Sequence, residues 1–214
     1  MRNLVLVFAL IFLASCGKVD FENQKSQENK EVQEVREKDP SLDQIKEIFY
    51  EKLWGQTLIR TYGEDSGQTK IVFEKEGKFK GDYFGKIAAD GKDYGLTATA
   101  QIYYHAEEIH SSEFEGVFEI TKQIDDYRYE VDLRDYKITT KEGPYDDIYY
   151  HVDFALGLNP ESEYILYRPG CAIKSLEDDQ RLIEIAKKGS ADGEKITGFI
   201  IYNKTDGEVF SQNQ

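Results

Sequence analysis

Cysteine, methionine, tryptophan and histidine are scarce: the chain of 214 residues holds two Cys, one Met, one Trp and three His. Two cysteines cannot build a disulfide framework, so the fold must hold through its core. The chain has no Cys-x-x-Cys, no His-Glu-x-x-His, no Gly-x-Ser-x-Gly and no phosphate loop. The usual signatures of zinc, nucleophilic and nucleotide chemistry are therefore missing, and no cofactor is implied. Positive charge is also short, with 27 Lys and Arg against 41 Asp and Glu, a net charge of −14. Phosphate backbones would be repelled, which excludes nucleic acid as a partner.

Long apolar runs are nearly absent. The exception is Leu4 to Ala14, eleven residues behind a positive Arg2. Eleven helical residues span roughly half of a ~30 Å hydrocarbon core, too little for a transmembrane helix. They suit a cleavable export signal, here residues 1–15. The run closes on Leu13-Ala14-Ser15-Cys16-Gly17, which resembles the lipobox of bacterial lipoproteins. The resemblance implies a diacylglyceryl thioether on Cys16, because sulfur is the nucleophile that takes the lipid. The competing reading is a plain secretory signal with a chance cysteine. The expected location is the extracytoplasmic face of the bacterial cell membrane, with the membrane as a partner through the lipid on Cys16. Cleavage removes one base and no acid, moving the net charge from −14 to −15. It also leaves Cys171 as the only thiol, with no base nearby in sequence to activate it.

Residues 16–40 follow as a polar tether. Lys, Glu, Gln and Asn dominate it, and such a composition cannot offset its ordering entropy by burial. A solvated helix over 28–38 is the alternative. A β-rich domain is expected over 41–214. Ser41 and Gln44 read as a capping box. Leu42, Ile45, Phe49 and Leu53 then repeat on one helical face, broadened by Ile48, which predicts an amphipathic helix over about 42–53.

From Thr57 the apolar period becomes two. Phe114, Gly116, Phe118 and Ile120 alternate with polar residues, as do Tyr127, Tyr129, Val131 and Leu133. After Asp135 the apolar set moves to Tyr136 and Ile138, a change of phase that predicts a β-bulge at 134–136. Turn signals at Glu76-Gly77, Asp90-Gly91, Asp192-Gly193 and Asp206-Gly207 punctuate the runs. The predicted strands are 57–62, 69–75, 78–86, 95–104, 113–122, 127–139, 147–154, 163–168, 196–203 and 207–211. Short links between them imply a mainly β fold, an antiparallel up-and-down meander that closes as a barrel, with a curved sandwich as runner-up. Ser175 opens a second predicted helix, about 176–188, with Leu182, Ile183 and Ala186 facing the sheet.

Gly77-Lys78-Phe79-Lys80-Gly81-Asp82-Tyr83, Phe114-Glu115-Gly116-Val117-Phe118, Asp126-Tyr127-Arg128-Tyr129, Tyr164 to Gly170 and Gly198 to Asn203 occur in that order. Together they resemble a group of uncharacterised lipoproteins and secreted proteins of Gram-positive bacteria. The resemblance covers roughly residues 57–203 and implies a lipocalin-like barrel. Its motifs are turns and core aromatics, so it implies no catalytic residue. Residues 149–163 depart from the pattern.

His105-Ala106-Glu107-Glu108-Ile109-His110 is the one candidate metal cluster. Read as a loop between strands 95–104 and 113–122, it brings His105, Glu107, Glu108 and His110 within reach of one ion. The preferred reading is an acidic hairpin tip with solvated histidines, because the run lacks fixed ligand spacing. The acid pairs Asp125-Asp126, Asp146-Asp147 and Asp178-Asp179 suit a hydrolase only if two carboxylates face each other across a cleft. Neighbours on a strand point apart, and Asp178-Asp179 suits a helix N-terminus. Residues 203–208 read as a hairpin turn rather than a calcium loop.

The function expected is therefore non-enzymatic binding of a small or apolar ligand in the barrel. The alternative is an interaction or adhesion module that offers an acidic, tyrosine-rich face to a basic protein. A hydrolase is the least favoured class. A cavity of about 300 Å³ or more would favour the ligand. An interior filled by Phe79, Phe118, Tyr129 and Leu133 would leave the surface module.

Overall fold

The computed structural model describes residues 41–61, 67–87, 108–146 and 149–212. The signal, Cys16 and the tether lie outside them, as do His105, Glu107 and the predicted strand 95–104.

A helix, α1 (Leu42–Leu53), begins as the capping box requires. The Ser41 N–H donates to Gln44 Oε1 at 2.9 Å, and the Gln44 N–H donates to Ser41 Oγ at 3.4 Å. Its face buries Phe49 and Leu53. Ile48, expected on the same stripe, instead stands 54% exposed.

Among the described residues ten strands follow: β1 (Thr57–Thr61), β2 (Gly67–Phe73), β3 (Lys78–Ile87), β4 (Glu108–Gln123), β5 (Arg128–Ile138), β6 (Gly143–Asp146), β7 (Tyr149–His151), β8 (Tyr164–Tyr167), β9 (Ile200–Asn203) and β10 (Glu208–Ser211). Eight of them pair in the cyclic order β1-β2-β3-β4-β5-β8-β9-β10, every pair antiparallel, and β10 returns to β1. The result is a closed up-and-down barrel. β6 and β7 form a side hairpin in place of the predicted strand 147–154, and β7 runs parallel to the first residues of β4. β3 pairs directly with β4 over ten positions, Lys78↔Val117 to Ile87↔Glu108.

The predicted bulge is present. Asp135 and Tyr136 oppose the single residue Gly116, and Asp135 takes a positive φ of 50°. Tyr129, Val131 and Leu133 thus face the interior before the bulge, and Tyr136 and Ile138 turn towards the same core after it. A second irregularity at Thr121 stands beside the Tyr50 hydroxyl. That hydroxyl accepts from the Ile120 N–H at 2.9 Å and donates to the Phe118 carbonyl at 3.2 Å, which bolts α1 to β4.

Two glycine–aromatic pairs shape the interior. Across β3 and β4, Gly81 stands opposite Phe114, and Phe79 opposite Gly116. A Cβ on Gly81 would meet the Lys70 carbonyl oxygen at 2.2 Å and the Phe114 ring at 2.4 Å, and one on Gly116 would meet the Phe79 ring at 2.8 Å. Each glycine makes room for a ring, so the small-large alternation fits bulky side chains inside a narrow barrel. Phe79 stacks on Phe118 at 5.1 Å, and Phe118 meets Tyr164 edge-on at 5.3 Å. Phe79, Phe118, Tyr129 and Leu133 are all buried.

Both ends of the barrel are plugged. At one end Phe49 of α1 packs on Tyr129 and Phe199. At the other the segment 152–159 folds inward, burying Ala155 and Leu158. Buried polar groups are satisfied there by the plug's carbonyls. Thr69 Oγ1 donates to Leu156 O, Ser112 Oγ to Phe154 O and Asn203 Nδ2 to Gly157 O. Buried Arg60 on β1 reaches Glu208 on β10 through two hydrogen bonds, and Arg181 joins the same carboxylate.

The second helix, α2 (Gln180–Lys188), starts later than the 176 expected. A single 3-10 turn, Ile173–Ser175, comes first, and Asp179 rather than Ser175 caps the helix, accepting from the Leu182 N–H at 2.8 Å. Leu182 and Ala186 cover the outer face of β8, β9 and β10, where Ile165, Tyr167, Ile200, Tyr202 and Val209 form a second core. Buried on both faces, β8 (Tyr164–Tyr167) reads as a continuous apolar run, as do the first three residues of β9.

Gly81→Ala is expected to destabilise the chain by about 1–3 kcal/mol through overpacking. Phe114→Ala costs about 3–5 kcal/mol by itself. The double variant should cost less than the sum, because truncating the ring removes the side-chain clash of the new methyl and leaves only that with the Lys70 carbonyl. Urea unfolding of the three variants checks this, and strict additivity would refute the interlock.

Candidate functional site

Among the described residues, those singled out from sequence do not assemble into a reactive centre. Glu108 and His110 belong to β4 and not to a loop, because the strand begins five residues before the expected 113. His110 stands opposite Gly85 on β3 and Tyr150 on β7, and its ring lies 6.1 Å from Tyr150 and 6.5 Å from Phe154. His151 Nδ1 lies 3.2 Å from Ser111 Oγ. Among the described residues no three His, Cys, Asp or Glu side chains converge on a metal position.

Asp125 and Asp179 have structural tasks, while Asp147 of the pair Asp146-Asp147 lies outside the described residues. Asp125 Oδ1 accepts the N–H groups of Tyr127 and Arg128, and Oδ2 accepts Arg128 Nε at 2.7 Å. Partial burial raises the Asp125 carboxyl, but these donors outweigh it and hold the group below the usual range. Asp179 caps α2 and also accepts the Tyr202 hydroxyl. Residues 203–208 form a hairpin turn in which Asp206 accepts from Asn203 Nδ2 and Ser162 Oγ.

Cys171 is 1% exposed. Burial pushes its thiol up to about 11, the opposite of what a nucleophile needs.

Part of the charge on the barrel wall between β2 and β5 is paired. Lys80 pairs with Glu74, Lys137 with Glu115, Lys122 with Glu130, and Arg134 with Asp132. Such surface pairs stabilise weakly, at about 0–1 kcal/mol each. Glu74, Glu115, Glu130 and Asp132 are matched in this way.

A groove of about 300 Å³ beside α1 is different. It is lined by Ile48, Phe49, Lys52, Asp126, Tyr127 and Arg168. Tyr127, 40% exposed, is held as a flat plate. The Arg168 guanidinium lies 5.4 Å from its ring, and a Cβ on Gly170 would meet that ring at 3.0 Å. Arg168 Nη1 also donates to the Asp126 carbonyl, and its N–H to the Tyr127 carbonyl. The Asp126-Tyr127 turn and the Arg168-Pro169-Gly170 turn, far apart in sequence, thus meet in one place. Neither Lys52 nor Arg168 has an ion pair among the described residues.

The groove was not foreseen from sequence. Tyr127 reads as a strand residue there, and Ile48 as a core residue. Comparison with models of known families, with curated proteins and with solved structures found no match.

The Cys171 thiol titrates at about 11 when folded and near its ordinary 9 when unfolded. Its contribution to stability is therefore complete below about pH 9 and is lost as pH rises through 11. The stability advantage of the native chain over Cys171→Ala should shrink across that window. Urea midpoints at pH 8 and pH 11 check this, and a constant difference would contradict it.

Proposed function

We propose that this chain is a non-enzymatic binding protein, anchored by lipid on Cys16 to the extracytoplasmic face of the bacterial membrane, that docks a partner protein at the α1 groove. One observation carries the reading: the barrel is filled by its own aromatic rings and plugged at both ends, so recognition falls to the outer surface.

The groove has the composition of an interface centre. Tyr and Arg are the residues that dominate binding energy in protein interfaces, and a pre-ordered ring loses little entropy on docking. Ile48 supplies an apolar contact that the helix does not bury. The unpaired cations Lys52 and Arg168 select a segment that carries an apolar side chain next to a carboxylate.

The anchor reading rests on Arg2, the Leu4 to Ala14 run and Leu13-Ala14-Ser15-Cys16. Two acyl chains hold a protein at a bilayer far better than one.

A photo-reactive residue at position 48 of the full anchored chain should cross-link one protein in the cell envelope. Tyr127→Ala should weaken that band, and a photo-reactive residue at Lys80 should give none. Equal bands from positions 48 and 80, or a band indifferent to Tyr127→Ala, would overturn the docking site. Cys16→Ala should abolish fatty-acid labelling and release the chain from the membrane fraction; undiminished label would refute the anchor.

A further inference from the structure

A second groove, of about 570 Å³, lies on the far side of α2. Three separate pieces of chain form it. The first is the 3-10 turn with Ile173 and Lys174. The second is α2, with Ile183 and Lys187. The third is the turn Gly193–Lys195. The Ala172↔Lys195 bridge ties the first and third together. Ile173 is buried and Ile183 is half-buried, so the floor is apolar. Lys174, Lys187 and Lys195 stand exposed around it.

None of these three lysines forms an ion pair among the described residues. In a chain of net charge −14 this is the reverse of the average surface. Helix-end stabilisation accounts for Lys187, which lies in the last turn of α2. It does not account for Lys174 and Lys195, which come from outside the helix. The acids nearby do little to neutralise them. Asp192 spends its carboxylate on the turn itself, accepting the N–H groups of Glu194 and Lys195 and the Ser190 hydroxyl. Glu194 is the one acid that lines the groove. The volume falls within the range of small-molecule sites, roughly 300–1,000 Å³.

We infer that this groove binds an amphipathic anion, a single alkyl chain ending in a carboxylate or phosphate. The chain would lie on Ile173 and Ile183, and the head group would be held by Lys174, Lys187 and Lys195. Apolar floor and cationic rim make separate demands. A free inorganic anion satisfies only the rim, and a neutral amphiphile only the floor. The inference is independent of the α1 groove, and either can fail alone.

Isothermal titration of the full chain, below the micelle concentration of each probe, tests it. Dodecanoate or dodecyl phosphate should bind with one-to-one stoichiometry, and whichever binds tighter identifies the natural head group. Lys174→Gln with Lys195→Gln should weaken that binding about tenfold or more, and added salt should weaken it too. Both positions are exposed, so the fold should persist, which circular dichroism checks. Ile183→Asp should abolish binding through the floor. Equal affinity for dodecyl maltoside, saturable binding of inorganic phosphate alone, or affinity unchanged by the lysine variants would overturn the assignment. So would binding to anionic vesicles without binding of either monomeric probe.

Discussion

The structure depends on one steric constraint: at two facing positions of β3 and β4, a buried aromatic ring leaves room only for glycine opposite it. Gly81 yields to Phe114 and Gly116 to Phe79, on the two strands whose pairing completes the cylinder. Gly77 yields in the same way to the Tyr50 ring of α1, so the helix seats by the same rule. Close packing of this kind leaves few voids and little tolerance for added volume. The eight strands therefore enclose a packed core.

That constraint moves function outward. The two plugs, α1 and the segment 152–159, complete an interior in which the buried polar groups Thr69, Ser112 and Asn203 hold backbone carbonyls in place. The outer face of β8, β9 and β10 is itself used up beneath α2. Part of the charge on the wall between β2 and β5 is paired. What remains are places where turns from distant parts of the chain converge: the Tyr127–Arg168 plate beside α1, and the lysine-rimmed groove beyond α2.

Local physics made much of the fold legible from the residues alone. The Ser41–Gln44 capping box set the start of α1, and the change of phase after Leu133 located the bulge at Asp135. Less legible features depended on tertiary choice. Ser175 and Asp179 both suit a helix cap, and the 3-10 turn tied to the Ala172–Lys195 bridge decides for Asp179. Ser111 and Ser112 hid the first residues of β4, because Ser112 is buried to bond a plug carbonyl rather than to avoid water. Ile48 repeats at core spacing yet faces the groove. The candidate sites were the least legible part. Each is assembled from turns, and turn residues announce their own geometry, not their neighbours.

The central claim is that the barrel encloses no room for a ligand. Xenon enters apolar voids that water leaves dry, so methyl-resolved NMR of the full chain under xenon pressure tests that claim most directly. The account predicts no saturable shift at Ile71, Leu133, Leu166 or Ile201, all of which line the interior. A saturable xenon shift shared by those methyls would reveal a hollow barrel and contradict it.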